Sequence, residues 1–297
     1  MISAIAGDVI GSRFEFNNIS SEDFGPLFVD KCIYTDDTIL TVATADVILN
    51  RERTVENYAD EYYKYAENYP NRGWGGRFDA MVRTGKLEPY DSYGNGSAMR
   101  VSPVGWVVKN EQEALVEAEK SAACTHNHPE GIKGAQAITW AIWAARSGIE
   151  SITMDKNIIK DGIERIFGYD LTKKSYDYRQ GQFDVTCQGT IPRCMAVFLE
   201  TEDFESAMRK TVAMGGDVDT NCCIVGSLCD AHYGLPPREV QDEVYMRLPK
   251  EMADIVTAFT KKYIDKNFKE PDVKISSKTG TLVDQLSSLF STGGGAV

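Results

Sequence analysis

The sequence predicts an all-α protein, and three observations carry that reading. Apolar residues recur at helical spacing along most of the chain, helix starts are marked by capping residues and prolines, and alternating strand-like runs are scarce. With 297 residues, 42% of them hydrophobic, and no long low-complexity insert, the chain can bury a sizeable core.

Taken in order, residues 1–10 are mildly apolar, but they lack a basic leader and are broken by Gly7-Asp8, so they do not read as a signal peptide. Thr35-Asp36-Asp37-Thr38 then stands directly before an apolar helix over residues 39–49. Thr54 is placed to cap a helix running to about residue 68, whose tyrosines 58, 62, 65 and 69 share one face. That stripe reads as packing rather than ligand stacking. Gly73, Gly75 and Gly76 surround Trp74 in a mobile or close-approach loop.

Residues 90–104 show no clear period. There Gly94-Asn95-Gly96-Ser97-Ala98-Met99-Arg100 supplies flexible backbone followed by a cation, readable as an ordinary turn or as an anion cradle. In the second reading Arg100 adds charge-assisted hydrogen bonds or pairs with a metal-site carboxylate. A helix over 111–123 ends at Thr125-His126-Asn127-His128, and Pro129 opens the next, apolar nearly all round. Cys124, His126 and His128 have zinc-like spacing but no partner motif nearby, so a single histidine reaching a ligand from a loop fits better.

Residues 152–167 form an amphipathic helix, and 169–189 a polar loop long enough to suspect of function. Pro192 suits the start of a further helix. Residues 202–214 lead into Gly215-Gly216-Asp217-Val218-Asp219-Thr220, where Asp219 or Thr220 would cap the apolar helix that follows. Helices over 239–248 and 251–268 complete a domain of residues 1–269. From 270 to 297 the composition turns to Ser, Thr and Gly, a tail in which Leu282, Leu286, Leu289 and Phe290 share a helical face suited to docking.

Charge and cysteine usage narrow the function. A net charge of −12 excludes a broad basic grip on nucleic acid, so an anionic ligand would need a few arginines, backbone N–H groups or divalent cations. Seven cysteines, an odd number without a C-x-x-C pair, read as reduced core thiols. No apolar run reaches the length of a membrane span. A cytoplasmic protein without membrane or nucleic-acid partners is expected.

The two acidic turns carry the chemistry. Either one alone reads as helix capping. Together they offer only oxygen ligands, which suits hard cations such as Mg²⁺ or Mn²⁺. Two such cages facing each other would hold two ions about 4 Å apart, able to clamp vicinal oxygens and activate water.

Gly7-Asp8 with Glu15, the Thr35 to Thr38 motif, the Gly94 to Arg100 loop, Thr125-His126 and the Gly215 to Thr220 turn occur in an order that resembles the ADP-ribosylglycohydrolase family. The resemblance covers residues 1 to about 265 and implies an orthogonal multi-helix bundle with a binuclear metal cleft. It implies Thr35, Asp36 and Asp37 as metal ligands on one side and Asp217, Asp219 and Thr220 on the other, with Asp219 bridging. Gly94, Asn95, Gly96, Ser97, Arg100 and His126 would line the ligand, and Glu15 would stand near the metals as a mobile acid. Glu15, Asp36 and Asp219 are the expected catalytic carboxylates. The implied reaction is hydrolysis of the glycosidic bond between ADP-ribose and a modified side chain, with arginine favoured because a guanidinium suits an acidic cleft. The alternatives are a non-catalytic ADP-ribose-binding module and a metal-dependent phosphohydrolase of nucleotide diphosphates.

Overall fold

Fourteen α-helices and no named strand occur among the residues that the computed structural model describes, 1–147, 155–178 and 182–273. α1 (Ile2–Gly11) is buried along its whole length. α2 (Asp36–Asn50) begins after Thr35, so Asp36 and Asp37 lie inside its first turn rather than before it, where the helix dipole favours negative charge. α3 (Val55–Asn68) is capped by Thr54, whose hydroxyl accepts from Asn57 N–H, and Tyr58, Tyr62 and Tyr65 are buried as the stripe predicts.

α4 (Gly76–Val82) follows the glycine loop, and α5 (Gly96–Met99) and α6 (Ser102–Val107) occupy the segment without a sequence period. Both are too short to display one. α7 (Glu111–Ala123), capped by Asn110, and α8 (Pro129–Ser147), opening on its proline, match expectation. α9 (Lys156–Phe167) is capped by Asp155, while the expected start at residue 152 lies outside the described residues.

α10 (Cys187–Glu200) corrects the reading of Pro192. Thr186 caps this helix by accepting from Gly189 N–H, which leaves the proline in the helix interior rather than at its start. α11 (Phe204–Met214) is capped by Asp203. α12 (Val218–Tyr233) is flanked by Asp217 and has no side-chain cap, so Asp219 and Thr220 sit in its first turn and do not cap it. α13 (Arg238–Arg247) and α14 (Lys250–Phe259) each start just after a proline, and a π-type turn at Thr260–Ile264 ends the run. All seven cysteines are buried free thiols. No described helix is long and apolar enough to cross a membrane. The expected docking face at Leu282 to Phe290 lies outside the described residues.

The centre of the packing is α1 against α12, two helices close enough for backbone to touch backbone. A Cβ on Gly7 would stand 2.1 Å from the Cys222 carbonyl oxygen, and one on Gly11 2.5 Å from the Asp219 Cα. Only glycine permits that approach, and it sets Asp8 beside Asp219. Gly7→Ala is therefore expected to cost about 1–3 kcal/mol or more of stability through overpacking against backbone that cannot rotate away. Urea unfolding of the variant and the parent protein measures it.

Candidate functional site

Three helix N-termini and one loop converge on a cleft of about 420 Å³. Asp8 on α1 accepts from both N–H and Oγ1 of Thr35, at 2.9 and 2.7 Å, and from N–H of Thr38 at 3.1 Å and its hydroxyl. It thereby ties the start of α2 to α1. Thr220 at the start of α12 donates from Oγ1 to Asp37 Oδ2 at 3.3 Å, and Thr35 Oγ1 lies 3.4 Å from the same oxygen. The two acidic turns that the sequence places 180 residues apart thus meet around one carboxylate.

Carboxylate oxygens gather in two groups, each within 4.8 Å: Asp8, Asp37 and Asp219 in one, Glu15, Asp217 and Asp219 in the other. Asp219 belongs to both. Asp36 lines the cleft but enters neither group. Asp8, which the sequence analysis quotes only as part of a motif, takes a place among the ligand-competent oxygens. Its signal was present: a carboxylate between glycines at positions 7 and 11 of an apolar run marks a polar group held at a close helix contact.

The electrostatics follow from this crowding. Burial is the first cause raising the acidities' midpoints of Asp8, Asp36, Asp37, Asp217 and Asp219 above the usual carboxylate range. For Asp36, Asp37 and Asp219 the neighbouring carboxylate charges push further the same way. Hydrogen bonds from Thr35 and Thr38 partly offset the effect at Asp8, and one from Asn95 does so at Asp217. Glu15 is pushed up to about 7 by burial and then by the charge of Asp217, against a hydrogen bond with Asp219.

The residues present fit hard cations. Asp37 Oδ1 is buried without a hydrogen-bond partner, the two groups offer oxygen donors only, and positive charge would relieve the mutual repulsion. The structure thus holds an acidic cluster able to take a metal ion.

The cleft lining also carries Arg77, Arg100 and His126. His126 is buried, and burial, then Arg100 and Arg77, lower its pKa well below the usual value, so its ring is neutral. Arg100 Nη2 donates to Thr125 Oγ1 at 2.9 Å, and the same hydroxyl is hydrogen-bonded to His126 Nδ1 at 2.7 Å, which fixes the ring with Nε2 beside Gly94 and Gly96. Arg77 is exposed at the mouth, its guanidinium 4.9 Å from the Tyr90 ring centroid.

The glycine loop differs from its expected role. Asn95 Nδ2 donates to Asp217 Oδ2 at 2.7 Å and to Thr190 Oγ1 at 3.1 Å, so Asn95 holds a carboxylate. Ser97 is fully buried and donates to the Gly131 carbonyl at 2.7 Å. Arg100 pairs with no carboxylate among the described residues; it lies 4.4 Å over the Tyr62 ring and donates to the Ser121 carbonyl. Of this segment Gly94, Asn95, Gly96, Met99 and Arg100 line the cleft, and Ser97 does not. The Gly73 loop, flagged only as a close approach, lines the cleft too, and a Cβ on Gly73 would meet Asp36 Oδ1 at 3.1 Å.

A family model described as ADP-ribosylglycohydrolase matches residues 1–265. The chain is similar to the mouse ADP-ribosylhydrolase ARH3, 22% identical over 308 residues, covering 79% of this chain and 83% of the relative. It is similar to the Xenopus tropicalis protein of the same name at 23% over 302 residues, covering 79% and 86%. A solved structure titled ADP-ribosylglycohydrolase-related protein complex superposes with a TM-score of 0.66 at 22% identity, covering 87% of this chain and 95% of that one, which supports the shared fold.

A pH signature follows from the raised carboxylates. The folded, metal-free protein binds protons that the unfolded chain, with carboxyl groups near pH 4, has already lost, so stability falls as pH rises from about 4 through the Glu15 value of about 7. Thermal melts with chelator should show a lower melting temperature at pH 8 than at pH 5. Excess Mg²⁺ or Mn²⁺ should recover most of the difference at pH 8.

Proposed function

The chain belongs to the ADP-ribosylglycohydrolase family, and we propose that it hydrolyses the glycosidic bond joining ADP-ribose to a modified side chain of a protein or other conjugate, with two Mg²⁺ or Mn²⁺ ions. The supporting observation is the mixed lining of the cleft: carboxylates crowd around Asp219, and Arg77, Arg100 and His126 line the same cleft. ADP-ribose has the matching parts, hydroxyls on its terminal ribose and charge on its diphosphate.

Asp8, Asp37 and Asp219 would hold one ion and Asp217 with Asp219 the second, with Thr35, Thr220 and Asp36 completing the donors. Bound ions supply positive charge to grip vicinal hydroxyls and to acidify water. His126 presents Nε2 to the ligand, and Arg77 provides the accessible cation for the diphosphate. Gly94 and Gly96 leave the space beside His126 that a side chain would fill, as a Cβ on Gly96 would lie 3.1 Å from Nε2. Glu15, beside Asp217 and Asp219 in the cleft, is placed to move the proton between water and leaving group. The negative charge left on the acidic wall steadies an oxocarbenium-like sugar. Arginine is the favoured linkage because its guanidinium meets that wall.

Asp219→Ala should abolish metal-dependent release of ADP-ribose while circular dichroism stays helical. Retained activity in that variant with chelator would refute the two-ion reading. Glu15→Gln should lower kcat about 10²–10⁴-fold with little change in KM. A panel of arginine-linked and serine-linked ADP-ribosylated peptides, assayed with Mg²⁺, Mn²⁺ and chelator, ranks the linkages. Free ADP-ribose as product supports glycohydrolysis, whereas AMP with ribose phosphate would replace it by phosphohydrolysis.

A further inference from the structure

Two phenylalanines at the mouth of the cleft have no part in the chemistry above. Phe16 is 80% exposed and Phe183 49%. Their rings nevertheless stack, with planes 18° apart and centroids 6.0 Å apart, and both line the cleft beside Glu15. A stacked pair left in water at the rim of a pocket is a surface prepared for contact rather than a fragment of core.

Clamped backbone presents each ring. Asn18 Nδ2 donates to the carbonyls of Phe14 at 2.9 Å, Glu15 at 2.9 Å and Gly216 at 3.2 Å, and Gly216 N–H donates back to Asn18 Oδ1. On the facing loop, Arg193 Nη1 donates to the Gln182 carbonyl at 3.2 Å, and the Val185 carbonyl accepts from Asn95 N–H at 2.7 Å. Little further ordering is needed for the rings to receive a ligand.

Position decides which part of a substrate they meet. Phe16 follows Glu15, whose carboxylate stands with Asp217 and Asp219, and Phe183 stacks on it from the facing loop, so the pair lies next to the carboxylate group at which the glycosidic bond would be cleaved. We propose that Phe16 and Phe183 form the acceptor subsite, a platform for the side-chain stem and neighbouring residues of the polypeptide that carries the ADP-ribose. This rests on the glycohydrolase reading. Aliphatic stems pack on the ring faces, and an arginine acceptor adds cation–π attraction.

The test compares two conjugates sharing the same ADP-ribose, one on a short peptide and one on a single small alcohol or amine, with the full chain and its Phe16→Ala, Phe183→Ala and Phe16→Tyr variants. Each alanine variant should raise KM for the peptide conjugate about tenfold, a loss of about 1.4 kcal/mol of binding. KM for the small conjugate should stay unchanged, and Phe16→Tyr should behave as the parent. An unchanged peptide KM, or an equal rise for both conjugates, overturns the proposal. If the parent protein cleaves neither conjugate, the glycohydrolase reading falls, and the same comparison made on Kd by calorimetry decides the aromatic platform separately.

Discussion

The backbone contact between α1 and α12 is the constraint on which the site depends. Asp8 and Asp219 are carried by helices that touch through Gly7 and Gly11, so the separation of their carboxylates is fixed by main chain rather than by adjustable side chains. Asp8 in turn holds the first turn of α2 through Thr35 and Thr38, which delivers Asp37 to the same place. The starts of α2 and α12 and the C-terminal half of α1 are thus locked into one acidic cluster. Repulsion among these groups opposes folding, and the surrounding apolar core offsets it.

That core also explains why the carboxylates are so perturbed. Asp37, Asp217 and Asp219 are almost wholly buried, yet no arginine pairs with them among the described residues. Arg100 is spent on Tyr62, the Ser121 carbonyl and the Thr125 hydroxyl. The charge of Arg193 lowers Asp217 but does not offset its burial. The carboxylates therefore leave a demand for cations.

Much of the fold was legible because helix boundaries are local events. Thr54 and Pro129 mark starts through a hydrogen bond or a fixed φ that neighbouring residues alone determine. The acidic turns were legible as a pair for the same reason, each being a short motif at a helix start. What escaped depended on tertiary partners. α1 is buried on every side, so it shows no amphipathic period, and Asp8 within it looks like an interruption until α2 is placed against it. Pro192 belongs to a helix already begun by Thr186, Ser97 is drawn away from the cleft by the Gly131 carbonyl, and Arg100, though it lines the cleft, is held by Tyr62 rather than by a carboxylate.

The lining of the cleft also bears on the order in which products would depart. On the proposed reading, the acceptor would keep only contacts at the exposed rim after cleavage, while ADP-ribose would keep those with the carboxylates and with the His126 surroundings. The demodified protein would then leave first and the nucleotide sugar last, its release pacing turnover. Such an enzyme would respond to the local concentration of its own product, and a cleft that holds one half of its substrate firmly would thereby acquire a brake.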